Sequence, residues 1–372
     1  MSINRNNSTT RLLSIDALRG VDMLLIVGAG ELIYSLKDKT HYSWVNALTN
    51  QFEHSVWNGF TFYDFIFPLF LFISGVSIAF SLNSAASQNI SKSRLYQKAF
   101  RRMMILIALG ILEKNLPFPF FDLAHVRIGG VLQRIGFAGF ITTLLYLNFN
   151  LISRMYWVIG ILIFYYCCML FIPVPGYGAG NLSFEGNLHG WLDRTLMPGR
   201  LLQGTFDENG IFTQMPALCL TVLGSLAGDV LRSRDLSDYD ILKRLLVYGV
   251  TCIAIGLIWN VHFPINKRLW SSSFIALTGG MSFIFLALFY WIIDIIKVRR
   301  WARFFVVIGV NSITAYLAYR FIDFNHASRL LFEGLYINTP ADWHSVYENL
   351  GALILVWFFM FFLYKHKIFI KI

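Results

Sequence analysis

Apolar residues recur in long runs along almost the whole chain, and short polar segments separate these runs. A membrane-crossing helix needs about 20 mostly apolar residues, because the hydrocarbon core is about 30 Å thick and each helical residue advances about 1.5 Å. The third and seventh runs are short. We therefore expect an all-α polytopic membrane protein with about ten transmembrane helices, over residues 12–36, 60–83, 99–113, 129–148, 154–173, 211–231, 244–260, 270–293, 301–322 and 346–364.

The composition agrees with this pattern. The chain has 372 residues, of which 56% are hydrophobic and only 14% charged, whereas soluble domains carry about 25% charged residues. Such a composition excludes an ordinary soluble enzyme and a disordered chain. It also argues against a nucleic-acid partner, although the formal net charge is +10. The lipid bilayer is the expected surrounding of the protein.

The basic residues predict how the helices are oriented. Ten helices place both termini on one side, and 19 of the 31 Lys and Arg residues fall on that side, among them Arg5, Arg11 and Lys371. Nine fall in the opposite loops, and the other three lie inside predicted helices. Because cytoplasmic loops carry the excess of Lys and Arg, we expect both termini to be cytoplasmic. The first apolar run lacks a small-residue cleavage site, so we expect it to stay in the protein as a helix.

The chain reads as one domain over residues 1–372. It has no internal repeat and no linker that divides it. All four cysteines lie inside apolar runs, and no two histidines have metal-ligand spacing, so we expect neither a disulfide framework nor a metal site. Lipid-facing helices leave a homodimer possible.

Three charged residues in the first run need an explanation. Asp16, Arg19 and Asp22 are spaced by three and share one helix face. A charge at the centre of a membrane helix costs at least about 2.5–3.5 kcal/mol, so each residue needs a partner. One interpretation is an ion-pair ladder that fixes helix packing, and the other is a site that binds an anionic substrate.

Polar residues also gather at the predicted outer ends of several helices. Interfacial snorkelling would explain Lys267, Arg268 and Trp270 if each stood alone. They are predicted to lie at the same level of the membrane as polar residues from other segments, which favours a common site. Asn311 and Ser312 in the ninth run fit either hydrogen bonding between helices or the wall of a polar cavity. The candidates at the outer ends are His54, Trp57, Asn58, Asp64, Arg127, Gln133, Arg134, Asp207, Glu208, Asn266, Lys267 and Trp270.

His54 has the most suggestive surroundings of the eight histidines. Trp57, Asn58 and Asp64 follow it within ten residues, where the chain is predicted to enter the membrane. A neutral imidazole that a neighbouring amide or carboxylate orients is what a general base acting on an amine or hydroxyl requires. We therefore predict a catalytic group of His54, Asp64 and Asn58.

Six segments, in the same order and over essentially the whole chain, resemble the heparan-α-glucosaminide N-acetyltransferase family. They are RLLSIDALRG (11–20), HSVWNGFTFYDFIFP (54–68), VRIGGVLQRIG (126–136), PINKRLW (264–270), GVNS (309–312) and KIFIKI (367–372). The resemblance implies a membrane enzyme that moves an acetyl group from acetyl-CoA to the amino group of a terminal glucosamine on the non-cytoplasmic side. The family's catalytic histidine corresponds to His54. The chain is similar to the minimal, bacterial-type form without the extra lumenal domain, which implies a bacterial inner membrane and a site facing the periplasm.

Two positions depart from the family pattern. Members commonly have an Asn in the second half of the first helix, where this chain reads VGAG (27–30). A partner amide for His54 would then come from Asn58, Asn266 or Asn311. The family's Asp-Pro-Glu-Gly is Asp-Glu-Asn-Gly (207–210) here, so its carboxylate is displaced or replaced.

The resemblance leaves the mechanism open. His54 could act as a base in direct transfer, or it could carry the acetyl group itself. Donors at Gln133, Arg134, Asn266 or Asn311 could stabilise the oxyanion, and Arg or Lys residues could hold the phosphates of CoA. One alternative is an O-acyltransferase that modifies surface polysaccharide. Another is a sugar transporter with Asp16, Arg19 and Arg134 along its path, which the absence of an internal repeat disfavours.

Overall fold

The fold is described from a computed structural model that covers residues 12–118 and 122–370. Arg5, Arg11 and Lys371, which the sequence assigns to the cytoplasmic side, lie outside the described residues. The helices of the described part are α1 (Leu13–Leu24), α2 (Gly30–Tyr34), α3 (Ser43–Asn50), α4 (Phe62–Ser87), α5 (Lys92–Lys114), α6 (Val131–Asn148), α7 (Leu151–Phe171), α8 (Leu188–Leu196), α9 (Gln214–Arg232), α10 (Asp238–Trp259), α11 (Ser272–Tyr290), α12 (Ala302–Gly309), α13 (Ser312–Phe321), α14 (Phe324–Tyr336) and α15 (His344–Lys365). The expected all-α class is confirmed.

Fewer helices than expected are long and apolar enough to cross a membrane. In the described part of the chain six meet that requirement: α4, α7, α9, α10, the segment Ser272–Ile295 and the segment Ala341–Lys365. A seventh crossing is obtained if α12 and α13, which are bent by 70° at their junction, together form one broken span. The other three expected crossings correspond to α1 with α2, to α5 and to α6. The number of ten and the cytoplasmic termini stay predictions.

Each of these three segments has a physical reason for its weaker signal. The first run is interrupted by a π-helical turn at Leu25–Ala29, where Gly28 has a φ of +131° that residues with a side chain rarely adopt. Helix α5 carries a cluster of basic residues in its first half. Helix α6 has only 18 residues and begins with Gln133 and Arg134 in its first turn.

The centre of the molecule is built on close packing of α4 against α9. A Cβ atom added at Gly75 would lie 1.9 Å from the Thr221 carbonyl oxygen, and one at Gly224 would lie 1.9 Å from the Phe72 carbonyl oxygen. The two helices therefore approach backbone to backbone, as small residues permit in membrane helices. This contact fixes the 26-residue helix α4, whose first turn lies at the candidate site.

Helix α1 is fixed against α12 and α4. The Arg19 guanidinium donates to the Asp16 carboxylate and to the Gly309 carbonyl oxygen, both at 3.4 Å, and also to the Ser77 hydroxyl. Asp22 is buried, and within residues 12–118 and 122–370 neither of its carboxylate oxygens has a hydrogen-bond partner. The expected ladder is therefore present as the Asp16–Arg19 pair and does not extend to Asp22.

Candidate active site

His54 and Asp64 form the centre of the candidate site. His54 Nδ1 lies 2.8 Å from Asp64 Oδ1. The Asp64 side chain is fully buried, whereas the His54 side chain is 46% exposed. Because an ionised carboxylate only accepts hydrogen bonds, this pairing assigns the ring proton to Nδ1 and leaves the lone pair on Nε2. The imidazole can therefore accept a proton, or attack a carbonyl carbon, on its exposed side.

Asp64 is placed by the start of α4. Thr61 caps the helix, and Asp64 Oδ2 accepts from the Thr61 backbone N–H at 3.2 Å and from its hydroxyl at 3.1 Å. The backbone N–H of Ser55 donates to the same oxygen at 3.3 Å. The helix N-terminus also favours a negative charge. One carboxylate oxygen thus serves the cap, and the other is left to His54.

Lys267 adds a cation to this pair. Its Nζ lies 2.9 Å from His54 Nδ1, 3.1 Å from Nε2 and 3.5 Å from Asp64 Oδ1. An atom nearly equidistant from both ring nitrogens contacts the ring between them, so the Lys267 amine lies beside the imidazole rather than along the lone pair of Nε2. The Lys267 side chain is only 11% exposed. Interfacial snorkelling therefore does not describe Lys267.

Two asparagines join the loop of His54 to the loop of Lys267. Asn266 is buried, donates from Nδ2 to Asn58 Oδ1 at 3.1 Å, and accepts the Leu269 N–H at 2.9 Å. The Gly59 N–H donates to the Ile265 carbonyl oxygen at 2.9 Å. These bonds hold the two loops in a fixed relation and so bring His54 and Lys267 together.

Of the amide and carboxylate partners that the sequence leaves open for His54, the Asp64 carboxylate is the one that contacts the ring. Asn58 and Asn266 bond each other, and Asn311 donates to the Ile368 carbonyl oxygen at 2.8 Å, near the end of the described chain. The hydrogen-bonding partners of the His54 ring within the described ranges are Asp64 and Lys267. The reason is local, since the helix cap at Thr61 directs Asp64 toward the ring.

A buried arginine connects α6 to the same loops. The Arg134 guanidinium carbon lies 4.2 Å from the centre of the Trp270 ring, and both side chains are buried. Its Nη2 donates to the Glu208 carbonyl oxygen at 2.9 Å and to the Thr213 hydroxyl at 2.5 Å. Arg134 Nε and Nη1 have no hydrogen-bond partner in the described part of the protein. Two buried donors therefore stay available beside Trp270.

Arg127 and Asp207 brace the neighbouring loop. Arg127 Nε and Nη2 donate to the two oxygens of Asp207 at 2.7 and 3.0 Å. Burial alone would raise the pKa of Asp207, but its bonds with Arg127 hold that pKa below its usual value. The side chain of Gln133 donates to the Ile128 carbonyl oxygen at 2.8 Å. Both residues therefore organise the start of α6.

Trp57 links His54 to the long loop before α9. Its indole N–H donates to the Leu182 carbonyl oxygen at 3.1 Å. Its ring also packs against Phe184 and Phe206. With the contacts above, the structure brings together the outer-end candidates from four segments, around residues 54–64, 127–134, 207–213 and 264–270.

The remaining candidates belong to a different region. Arg19 bonds to Ser77, which follows Asp64 by 13 residues in α4, or about 20 Å along the helix axis. Asn311 and Ser312 stand at the bend between α12 and α13. Asp16, Arg19, Asn311 and Ser312 are thus separate from the group around His54.

A cavity of about 720 Å³ lies beside Ser77, between the second half of α4, the first half of α5, and α6. Its cations are Arg94, Lys98 and Arg102, which recur every four residues along α5. In the sequence, these cations serve only to predict how the helices are oriented in the membrane. Their shared helix face was the signal that could have identified them as the wall of a cavity.

A buried His–Asp pair is also missing from the sequence prediction. His189 Nδ1 lies 3.5 Å from Asp193 Oδ2 on α8, and both side chains are fully buried. Burial lowers the pKa of His189 to about 3 and raises that of Asp193 to about 7. Asp193 accepts the backbone N–H groups of Asp207 at 3.0 Å and Ile211 at 3.2 Å. The pair therefore supports the loop that carries Asp207, and its i, i+4 spacing could have suggested it.

Comparisons with known proteins show the family to which the chain belongs. The family model described as heparan-alpha-glucosaminide N-acetyltransferase, catalytic, matches residues 11–264. A heparan-alpha-glucosaminide N-acetyltransferase of Mus musculus is 26% identical over an alignment that covers 99% of this chain and 61% of the relative. The protein of that name from Homo sapiens is 27% identical, with 97% and 60% covered. The chain thus spans about three fifths of the length of these curated relatives. Because the family model matches more than half of the chain, including His54 and Asp64, the protein belongs to the heparan-alpha-glucosaminide N-acetyltransferase catalytic family.

Proposed function

We propose that the protein is a transmembrane acetyltransferase that moves an acetyl group from acetyl-CoA to the amino group of a glucosamine-containing sugar. The observation that carries the proposal is the half-exposed His54 imidazole, whose Nδ1 is 2.8 Å from the buried Asp64 carboxylate. A fixed tautomer with an accessible Nε2 is what acyl transfer to an amine requires of a general base or a nucleophile. His54 is then the catalytic residue and Asp64 its positioning partner.

Two routes use the same nitrogen lone pair. In direct transfer the sugar nitrogen attacks the thioester carbonyl, the C–N bond forms and the C–S bond breaks. Nε2 takes the proton of the attacking nitrogen and passes it to the departing thiolate. In the two-step route Nε2 attacks first, so that the acetyl group is carried on His54 until the amine displaces it. Incubation with labelled acetyl-CoA in the absence of sugar separates the routes, since only the second labels the protein.

The donor would bind at the other end of α4. Arg94, Lys98 and Arg102 line the cavity of about 720 Å³ beside Ser77, and clustered cations suit the phosphates of CoA. The Arg102 Nε is buried without a hydrogen-bond partner in the part of the chain that the structure covers, so this N–H can donate to a bound phosphate. Arg19 with Asp16 borders the same cavity through Ser77. Asn311 and Ser312 stay candidates for the wall of the donor route.

The acceptor would approach His54 from the opposite side. The sequence predicts that the side of the membrane with the excess of Lys and Arg is cytoplasmic, and the cavity with Arg94, Lys98 and Arg102 would lie on that side. His54, Trp57, Asn58, Asn266, Lys267 and Trp270 would then form the acceptor region on the extracytoplasmic side. Arg127, Gln133 and Arg134 would support it, and the buried donors of Arg134 are candidates for oxyanion stabilisation. We infer a bacterial inner membrane with the site toward the periplasm, and a homodimer stays compatible with the lipid-facing helices.

The experiment is an acceptor comparison with the purified protein in liposomes. Labelled acetyl-CoA is offered with glucosamine, N-acetylglucosamine or glucose, and each product is treated with hydroxylamine, which cleaves esters and spares amides. We expect label only with glucosamine, in a product that resists hydroxylamine. Hydroxylamine-sensitive label on glucose or N-acetylglucosamine would instead identify an O-acyltransferase. Glucosamine counterflow without acetyl-CoA, and no acetylated product, would identify a transporter.

A further inference from the structure

Lys267 is held in an unusual environment for a lysine. Its ammonium contacts the His54 ring and lies 3.5 Å from Asp64 Oδ1, while only 11% of its side chain is exposed. The carboxylate of Glu208 and the guanidinium of Arg268 are the other charged groups that act on it. Burial of a lysine favours its neutral amine, which is the form that can accept a proton.

The proposed reaction needs more than one proton acceptor. A sugar amine is protonated in neutral water, so its nitrogen has no lone pair until one proton is removed. Attack on the thioester then requires the loss of a second proton. Nε2 of His54 can accept one of the two. The Asp64 carboxylate is not available for the other, because it is fully buried and both of its oxygens already accept hydrogen bonds.

We propose that Lys267, as a neutral amine, removes the first proton from the ammonium group of the acceptor sugar. This inference rests on the proposed function. An N–H bond of the sugar ammonium breaks and an N–H bond on Nζ forms, so that the sugar becomes a neutral nucleophile and Lys267 an ammonium. His54 then takes the second proton and delivers it to the thiolate of CoA. Lys267 returns its proton to water, which accounts for the one proton released when an ammonium and a thioester become an amide and a thiol.

Two further observations support the assignment. Burial lowers the pKa of Lys267, although Asp64 and Glu208 each oppose this effect. Asn266, the residue before Lys267, is tied to Asn58 at 3.1 Å, so the backbone that carries Lys267 is fixed relative to the loop of His54. An amine placed within reach of Nε2 is therefore also within reach of Nζ.

The test compares three variants across a range of pH. Lys267→Ala should reduce kcat/KM for glucosamine by about 10²-fold or more at pH 6. The difference in kcat/KM between Lys267→Ala and the wild-type protein should shrink about tenfold for each unit by which the pH rises, until the free sugar amine is neutral. A neutral sugar amine has no ammonium proton for Lys267 to remove. Lys267→Arg keeps the charge but does not lose its proton, so it should be as impaired as Lys267→Ala at pH 6. Added methylamine should partly restore Lys267→Ala and leave Lys267→Arg unchanged.

The control is Arg329→Ala, which removes an exposed cation of α14 that pairs with Glu348 and should keep the wild-type pH profile. A deficit of Lys267→Ala that is constant with pH, together with an active Lys267→Arg, would show that Lys267 acts only through its charge and would overturn the inference. Wild-type activity in Lys267→Ala would do the same. Failure of the proposed function is a different result, because the wild-type protein would then not acetylate glucosamine at all. Binding of CoA by each variant verifies that it is folded.

Discussion

Asp64 and His54 are ten residues apart in the chain and meet at 2.8 Å because the segment before α4 folds back over the start of that helix. The Tyr63 N–H donates to the Gln51 carbonyl oxygen at 2.9 Å, and the Thr61 hydroxyl donates to the Glu53 carbonyl oxygen at 2.6 Å. One carboxylate therefore both caps a membrane helix and sets the tautomer of the imidazole. Folding of α4 and orientation of the His54 ring are coupled at this residue.

Replacement of Asp64 by Asn separates these two roles. The amide oxygen can still accept the cap hydrogen bonds, but its NH₂ group can direct the ring toward the wrong tautomer. We expect kcat to fall by about 10²–10⁴-fold, with little change in the melting temperature. Asp240→Asn is the matched control, since Asp240 holds the same position in the capping box of α10. Equal activity of the two variants would contradict the role of Asp64.

The cations that line the cavity beside Ser77 should affect the binding of acetyl-CoA and not that of the sugar. Arg94→Gln combined with Lys98→Gln removes two positive charges from the cavity wall. We expect the KM for acetyl-CoA to rise about tenfold or more, because each charge-assisted bond to phosphate is worth about 1.5–3 kcal/mol. The KM for glucosamine should not change. The control is Arg234→Gln combined with Lys243→Gln, two exposed cations outside this cavity, and an equal effect of both pairs would refute a specific donor site.

The glycine contact between α4 and α9 should be sensitive to a single methyl group. Gly224→Ala places a Cβ atom 1.9 Å from the Phe72 carbonyl oxygen, and overpacking of this kind costs about 1–3 kcal/mol or more. Gly160→Ala in α7 is the control, because a Cβ atom there meets nothing within 4 Å. Thermal unfolding in detergent should show a large loss for the first variant and none for the second. Similar melting temperatures would mean that the two helices are less tightly packed than described.

The buried Asp193 should make stability depend on pH. Its pKa is raised to about 7 from an ordinary value of 3.8, so the folded protein binds this proton more tightly than the unfolded chain does. The stabilisation that this proton gives to the folded protein is fully present below the pKa of Asp193 in the unfolded chain, and it is lost as the pH rises to about 7. We expect the melting temperature of the wild-type protein, measured relative to that of Asp193→Asn, to fall between about pH 4 and pH 7 and to level off above that range. Asp235→Asn, an exposed control, should keep the full slope, and a slope unchanged by Asp193→Asn would contradict the assignment.

The sequence alone predicts the helical class and proposes His54 as a candidate, because apolar length and a compact polar motif are local signals. It does not predict the number of helices that can cross a membrane, since the break at Gly28 and the short α6 depend on tertiary packing. Lys267 illustrates the same limit. Its spacing from His54 is 213 residues, and a single lysine at a helix end is indistinguishable in sequence from one that snorkels. The partner of His54 was among the alternatives, but only the cap geometry selects the carboxylate over an amide.

The pairing of Arg127 with Asp207 and of His189 with Asp193 shows why the rest of the site is not evident in the sequence. Arg127 and Asp207 are 80 residues apart, and the contact requires the loop before α9 to fold over the start of α6. His189 and Asp193 are close in sequence, but their complete burial is a property of the folded loop. Charge in a predicted loop is ordinarily solvated, so the burial of either pair is not evident before the fold is known.

The most direct test of the account is acetyl transfer by wild-type protein, His54→Gln and His41→Gln in liposomes supplied with labelled acetyl-CoA and glucosamine. His41 is an exposed histidine in the loop after α2 and serves as the control. The account predicts labelled N-acetylglucosamine from the wild-type protein and from His41→Gln, and a loss of at least about 10²-fold in His54→Gln with CoA binding unchanged. Transfer by His54→Gln at the wild-type rate would contradict the central role of His54.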